Sequence, residues 1–201
     1  MQTALTALGA YLLGSISFGI VVSRLLGLPD PRSFGSKNPG ATNVLRSGSR
    51  LGAILTLAGD AGKGWLAVWL AVLFGGEAPA AGTDAALAAI SAFLGHLYPV
   101  FHRFRGGKGV ATAAGALIGI DPWLGAATLA SFALIAAIFR MVSLASIVAA
   151  LFAAFYSFWL FGARPISLSV ALMALLLVAR HHENIGRMWR GEEAKLGKKS
   201  A

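Results

Sequence analysis

Long runs of apolar residues recur along this chain, and they limit its fold more than any other feature. The segments are 4–26, 51–74, 85–100, 110–120, 123–139, 143–161 and 166–179. In hydrocarbon every backbone N–H and C=O must be satisfied within the protein, so such runs form helices. About 20 residues at ~1.5 Å each match the hydrocarbon core. Only 12% of the residues are charged and the mean hydropathy is +0.72, whereas a soluble domain carries about twice that charge. The expectation is an all-α integral membrane protein forming one multi-pass domain, 1–201, with seven transmembrane helices. The first run lacks a basic leader and is too long for a signal peptide core, so it is read as a retained span. The run 110–120 reaches only ~17 Å at that rise. It and the next run either cross as short helices or form a re-entrant hairpin, broken at Asp121-Pro122.

The cations fall on one side of this arrangement. Arg32, Lys37, Arg46 and Arg50 share the first loop, Arg103, Arg105 and Lys108 the third, and Arg140 lies between the fifth and sixth runs. Arg180, Arg187, Arg190, Lys195, Lys198 and Lys199 follow the last run. The other side holds Arg164 beside Glu77, Asp84 and Asp121. The positive-inside rule places the N-terminus outside and the C-terminus in the cytoplasm. The net charge of +9 then reflects topology and anionic lipid head groups, and nucleic acid is not implied as a partner. The absence of cysteine rules out disulfides and thiolate metal sites.

Two of the basic loops are built to meet phosphate. Residues 35–46 read G-S-K-N-P-G-A-T-N-V-L-R. Glycines let successive N–H groups turn inward around an anion. Ser36, Asn38, Thr42 and Asn43 add hydrogen-bonding side chains, and Lys37 and Arg46 add charge. Residues 105–112 read R-G-G-K-G-V-A-T, a lysine among three glycines at the start of a helix, where anions are favoured. The same compositions also suit a plain polar connection and a loop that only sets topology. Gly109 follows Lys108, so the Walker A spacing fails, which argues against a nucleotide triphosphatase.

Other polar positions narrow the chemistry. Asp60 and Lys63 share a face of the second helix at i and i+3, as a functional pair or a packing ion pair. His181, in R-H-H-E-N-I, suits a base or a phosphate ligand, and His96 suits a structural role. No G-x-S-x-G elbow and no H-E-x-x-H pattern is present, so neither a serine hydrolase nor a metal or other cofactor is expected. Two phosphate cradles at one membrane face point to an enzyme whose acyl group comes from the bilayer. The alternative is a small membrane transporter for an anionic solute, which requires charged groups continuing to the far side.

The first loop, the G-G-K-G-V-A-T loop and the R-H-H-E-N-I-G-R-M tail together resemble the bacterial acyl-phosphate:glycerol-3-phosphate acyltransferases, the PlsY family. G-S-I-S-F-G, G-H-L-Y-P and V-S-L-A-S in the first, third and sixth runs are similar to it too. The resemblance implies an enzyme of the bacterial inner membrane with its site facing the cytoplasm. It would move an acyl group from acyl phosphate to glycerol 3-phosphate, giving 1-acyl-sn-glycerol 3-phosphate (lysophosphatidate) and phosphate. Its donor would come from a soluble phosphate acyltransferase, PlsX. By the motif match, Ser36, Asn38, Gly40, Ala41, Thr42 and Asn43 cradle the acyl phosphate. Arg46, Lys108, Ser143, His181 and Asn184 hold glycerol 3-phosphate, Gly106 and Gly107 line the second cradle, and Lys63 bridges to a phosphate. Ser36, Arg46, Lys108, His181 and Asn184 are the expected catalytic set. The hydroxyl proton passes to His181 or to the donor phosphate, and Glu183 is structural.

Overall fold

The computed structural model describes residues 2–75 and 82–196. The loop 76–81, with Glu77, and the terminal Lys198 and Lys199 lie outside the described residues. Among those described, the elements are all helices: α1 (Gln2–Gly14), α2 (Phe18–Leu25), α3 (Ala41–Leu45), α4 (Arg50–Gly75), α5 (Thr83–Leu97), α6 (Val110–Ile120), α7 (Pro122–Phe139), α8 (Val142–Phe161), α9 (Pro165–Arg180) and α10 (His182–Trp189), with a 3-10 turn at Val100–His102. Four helices are long and apolar enough to span alone. Two bent pairs, α1 with α2 and α9 with α10, bring that number to six. The short α6 is the remaining apolar segment. It is set off from α7 where Asp121 Oδ1 accepts the Leu124 N–H at 2.8 Å and Pro122 opens the new helix.

The first apolar run is not the single helix expected. It bends by 40° between α1 and α2. Ser15 turns its hydroxyl back to the Tyr11 carbonyl at 2.8 Å, and the Ile16 carbonyl instead accepts from Lys63 Nζ at 2.6 Å. A lysine on α4 thus satisfies a backbone group that the break sets free. The last run likewise turns by 55° into α10.

Small residues bring the helices together, as they must where lipid tails are as apolar as leucine. A Cβ on Gly64 would lie 2.1 Å from the Thr112 carbonyl oxygen, and one on Gly115 1.8 Å from that of Ala61. So α4 and α6 touch backbone to backbone. Gly14 against Ala92 and Gly95 against Tyr11 join α1 to α5 in the same way. Phe93, Leu97, Leu117, Ile120, Leu124 and Ile166 fill the apolar interior. Buried Ser169 Oγ donates to the Ala86 carbonyl at 2.8 Å, joining α9 to α5.

At the centre stands a charged cluster. Lys63 Nζ is 2.8 Å from Asp60 Oδ1, and both side chains are almost fully buried. His96 Nδ1 lies 3.5 Å from the same oxygen and 3.1 Å from Thr112 Oγ1. The α1–α2 break, α4, α5 and α6 therefore meet at one polar knot.

The basic segments gather at one end. Arg180 reaches the loop before α6, Ser143 reaches the segment after α10, and Lys37 and Gly106 line one cleft. Trp123 and Trp159, both exposed, belong to the start of α7 and the end of α8.

Candidate active site

The loop between α2 and α3 owes its shape to Asn43. Its Oδ1 accepts the Ser36 N–H at 3.0 Å, and its Nδ2 donates to the Pro31 carbonyl at 2.6 Å and the Phe34 carbonyl at 3.1 Å. One buried amide thus staples a turn in which Gly35 and Lys37 both take positive φ. A Cβ at Gly35 would sit 2.3 Å from Asn43 Oδ1 and 3.2 Å from Arg46 Cδ, so Arg46 lies across this glycine. Gly40 precedes α3, with Ala41 and Thr42 in its first turn. Ser36 and Thr42 are exposed and Asn38 is half-buried.

The loop before α6 is strapped from both sides. The Gly107 N–H donates to the His96 carbonyl at 3.1 Å. Arg180 donates through Nη2 to the Gly106 carbonyl at 3.2 Å and through Nε to that of Gly107 at 3.3 Å. The Arg180 guanidinium also lies over the Tyr98 ring, 5.8 Å from its centroid. Gly107 has no room for a side chain: a Cβ there would be 2.2 Å from His96 Nε2. Between the two loops opens a cleft of about 350 Å³ lined by Arg32, Lys37, Pro39, Arg105 and Gly106. Arg32 is paired with Asp30.

A second cationic seat lies beyond Gly107. Lys108 Nζ donates to Asn184 Oδ1. Asn184 Nδ2 and Ser143 Oγ donate to Glu193 Oε1 at 2.6 and 2.7 Å, and Arg187 Nε donates to Glu193 Oε2 at 2.7 Å. His181 is buried, with Nδ1 2.8 Å from the Leu177 carbonyl. A carbonyl only accepts, so Nδ1 carries the proton and Nε2 keeps its lone pair. Burial pushes the Lys108 ammonium down to about 8, with the Arg187 charge adding to the shift and Glu193 opposing it. Burial alone would raise the Glu193 carboxyl, but the hydrogen bonds from Ser143, Asn184 and Arg187 hold it below its ordinary value.

The Lys108 value sets a pH dependence. Its charge is present below about 8 and is lost above it. If this seat binds an anionic substrate, kcat/KM for that substrate declines tenfold per pH unit beyond that point, because kcat/KM reports the free enzyme. Lys108→Arg, whose charge persists, flattens the decline. A wild-type profile flat to pH 9.5 would separate Lys108 from substrate binding.

The structure brings Lys108, Ser143 and Asn184 into one hydrogen-bonded group around Glu193, and His181 feels the charges of Lys108 and Glu193. Lys63 is not among them. Its ammonium is committed to Asp60 and Ile16 inside the bundle. Asn43 points into its own loop, and the Gly107 N–H is already used. Sequence reasoning missed Arg180, Arg187 and Glu193. Arg187 stands three residues after Asn184 and so shares its helix face, a readable signal. Glu193, beside Glu192 in a basic tail, carries none. Among the described residues no three His, Asp or Glu side chains converge as a metal site would require. The arrangement offers two cationic seats, one holding a carboxylate, at the same end of an apolar bundle.

Residues 4–191 match the family described as glycerol-3-phosphate acyltransferase. A protein of that name from Ralstonia nicotianae is 57% identical over 99% of this chain and 96% of its own length. One from Janthinobacterium sp. is 58% identical, with 99% of each covered. Among solved structures, PlsY (YgiH), an integral membrane glycerol 3-phosphate acyltransferase, in its glycerol 3-phosphate form superposes with a TM-score of 0.91 at 35% identity, over 98% of this chain and 96% of that one. Its lysophosphatidic acid form gives 0.89 at 34%, with the same coverage. The chain belongs to the glycerol-3-phosphate acyltransferase family and is an all-helical integral membrane acyltransferase of the PlsY kind.

Proposed function

We propose that this chain, as one multi-pass domain in a bacterial inner membrane, transfers an acyl group from acyl phosphate to glycerol 3-phosphate, releasing lysophosphatidate and phosphate. The observation that carries this reading is the pair of separate cationic seats at one end of the bundle, matching two substrates that each bear one phosphate. Lys108, Ser143 and Asn184 seat the phosphate of glycerol 3-phosphate, with Arg46 and His181 beside it. The donor head group lies in the cleft between Lys37 and Arg105, against the loop of Ser36, Asn38, Gly40, Ala41 and Thr42. Its acyl chain stays among lipid.

The chemistry needs no covalent intermediate. Acyl phosphate is a mixed anhydride, so phosphate is already a stable leaving group. The glycerol C1 hydroxyl forms a bond to the acyl carbon, and the bond from that carbon to the phosphate oxygen breaks. The hydroxyl proton goes to His181 Nε2 or to the departing phosphate. Fixing both phosphates supplies proximity and orientation, and the surrounding donors stabilise the developing oxyanion. No ATP is required, in keeping with the failed Walker A spacing.

The donor is tested with purified protein, glycerol 3-phosphate and one donor at a time. Acyl phosphate gives one phosphate per lysophosphatidate. Product from palmitoyl-CoA or acyl carrier protein at a comparable rate overturns the assignment.

The seats face the cytoplasm in this reading, where the soluble acceptor and PlsX are found. With no native cysteine, Arg164→Cys reacts with an impermeant maleimide in intact spheroplasts and Arg190→Cys only after lysis. The opposite pattern reverses the orientation.

A further inference from the structure

Glu193 occupies a place suited to an incoming anion. Its side chain is 7% exposed and takes hydrogen bonds from Ser143, Asn184 and Arg187, while Lys108 holds the other end of Asn184. The acceptor phosphate, as read above, would need these same donors. The segment carrying Glu193 is not helical. It follows α10 through Gly191, at φ +71, a conformation glycine adopts without strain. Beyond the Glu193 contacts, the Glu192 N–H donates to the Arg187 carbonyl at 2.8 Å and the Leu196 N–H to that of Arg140 at 2.6 Å.

We propose that Glu193 is a resident stand-in for the acceptor's phosphate. Its carboxylate closes the acceptor seat while that seat is empty, and glycerol 3-phosphate displaces it, releasing the segment 192–196 about Gly191. The proposal rests on the reading that Lys108, Ser143 and Asn184 form the acceptor seat.

Three physical points carry it. An empty seat would leave half-buried Lys108 and Arg187 without a counter-charge, which is costly away from water. A phosphate monoester has up to two charges and three oxygens against the carboxylate's one and two, so it outcompetes the stand-in through charge-assisted hydrogen bonds. An open seat would also admit water to the mixed anhydride. Water would then bond to the acyl carbon as the bond to phosphate broke, wasting the donor as fatty acid and phosphate. A resident carboxylate excludes that water until the acceptor arrives.

The test measures glycerol 3-phosphate binding by calorimetry without donor, and phosphate release from acyl phosphate without acceptor. Glu193→Gln keeps the shape and removes the charge. We expect its Kd for glycerol 3-phosphate to fall at least fivefold and its acceptor-independent phosphate release to rise at least threefold. An unchanged or higher Kd overturns the proposal. Lys108→Ala distinguishes the two levels: unchanged binding in that variant removes the acceptor-seat reading itself, whereas weakened binding there with no tightening in Glu193→Gln removes only the stand-in. Should Glu193→Gln misfold, a spin label at exposed Lys195→Cys reads the native latch. Saturating glycerol 3-phosphate narrows its spectrum, and an unchanged spectrum overturns displacement.

Discussion

Lys108→Ala lowers kcat/KM for glycerol 3-phosphate by roughly 10²–10³-fold, with membrane insertion and yield near normal. Removing one partner of a desolvated, hydrogen-bonded charge pair costs about 2–5 kcal/mol, and each ~1.4 kcal/mol is tenfold. Lys108 would become such a partner on binding the acceptor's phosphate: it is half-buried, hydrogen-bonded to the neutral Asn184 amide, and beside the seat that holds Glu193. The acceptor's phosphate is remote from the reacting carbonyl, so the loss falls first on KM. It extends to kcat to the extent that this grip aligns the hydroxyl. Steady-state kinetics with the proposed donor, acyl phosphate, saturating make the measurement. A kcat/KM within threefold of the parent would leave the loop a topological device only.

The second large effect is on stability. Asp60→Leu strands the Lys63 ammonium inside the bundle, and breaking one side of a buried ion pair costs about 3–5 kcal/mol. The variant loses most of its folded yield and its thermal midpoint falls steeply. The double substitution Asp60→Leu with Lys63→Met recovers much of that stability, because an apolar pair of similar volume replaces two desolvated charges. Recovery stays incomplete, because Lys63 also satisfies the Ile16 carbonyl. Thermal melts in detergent, with glycerol 3-phosphate binding measured on the recovered protein, separate two roles for Lys63. Restored stability with restored binding makes the lysine architectural. Restored stability without binding returns it to the substrate.

The segments that hydrophobic length alone defines were legible. The run 110–120 coincides with α6, and the ends at Phe139 and Phe161 were read correctly, because Arg140 and Gly162 leave the helical conformation there. The break in the first run was not legible. No proline marks it, and its carbonyl is satisfied by a lysine 47 positions away. The site divides the same way. Lys108 announced itself by its triple-glycine setting, whereas Ser143 and Asn184 came forward only through the family resemblance; the structure joins the three through contacts spanning up to 76 positions. Asn43 had the chemistry of a ligand but serves its own loop, because the Ser36 N–H and the Pro31 and Phe34 carbonyls occupy its amide. Arg180 was read as a topological charge, yet it fixes two glycine carbonyls. Glu193 reaches the site only through a return of the chain after α10, which no local pattern encodes.

The backbone contact between α4 and α6 has a mechanical meaning. Gly64 against Thr112 and Gly115 against Ala61 leave no side chain to act as a compliant spacer, so the separation of these two helices is fixed by main-chain atoms. Lys108 stands at the root of α6 and inherits that stiffness. The outer helix α7, by contrast, buries little more than Leu124, Gly125 and Thr128 and leaves much of its apolar surface exposed. When the bilayer thickens or thins, helices accommodate the mismatch by tilting. Here α7 is placed to absorb such strain as a fender does, while the frame formed by α4 and α6 keeps its dimensions.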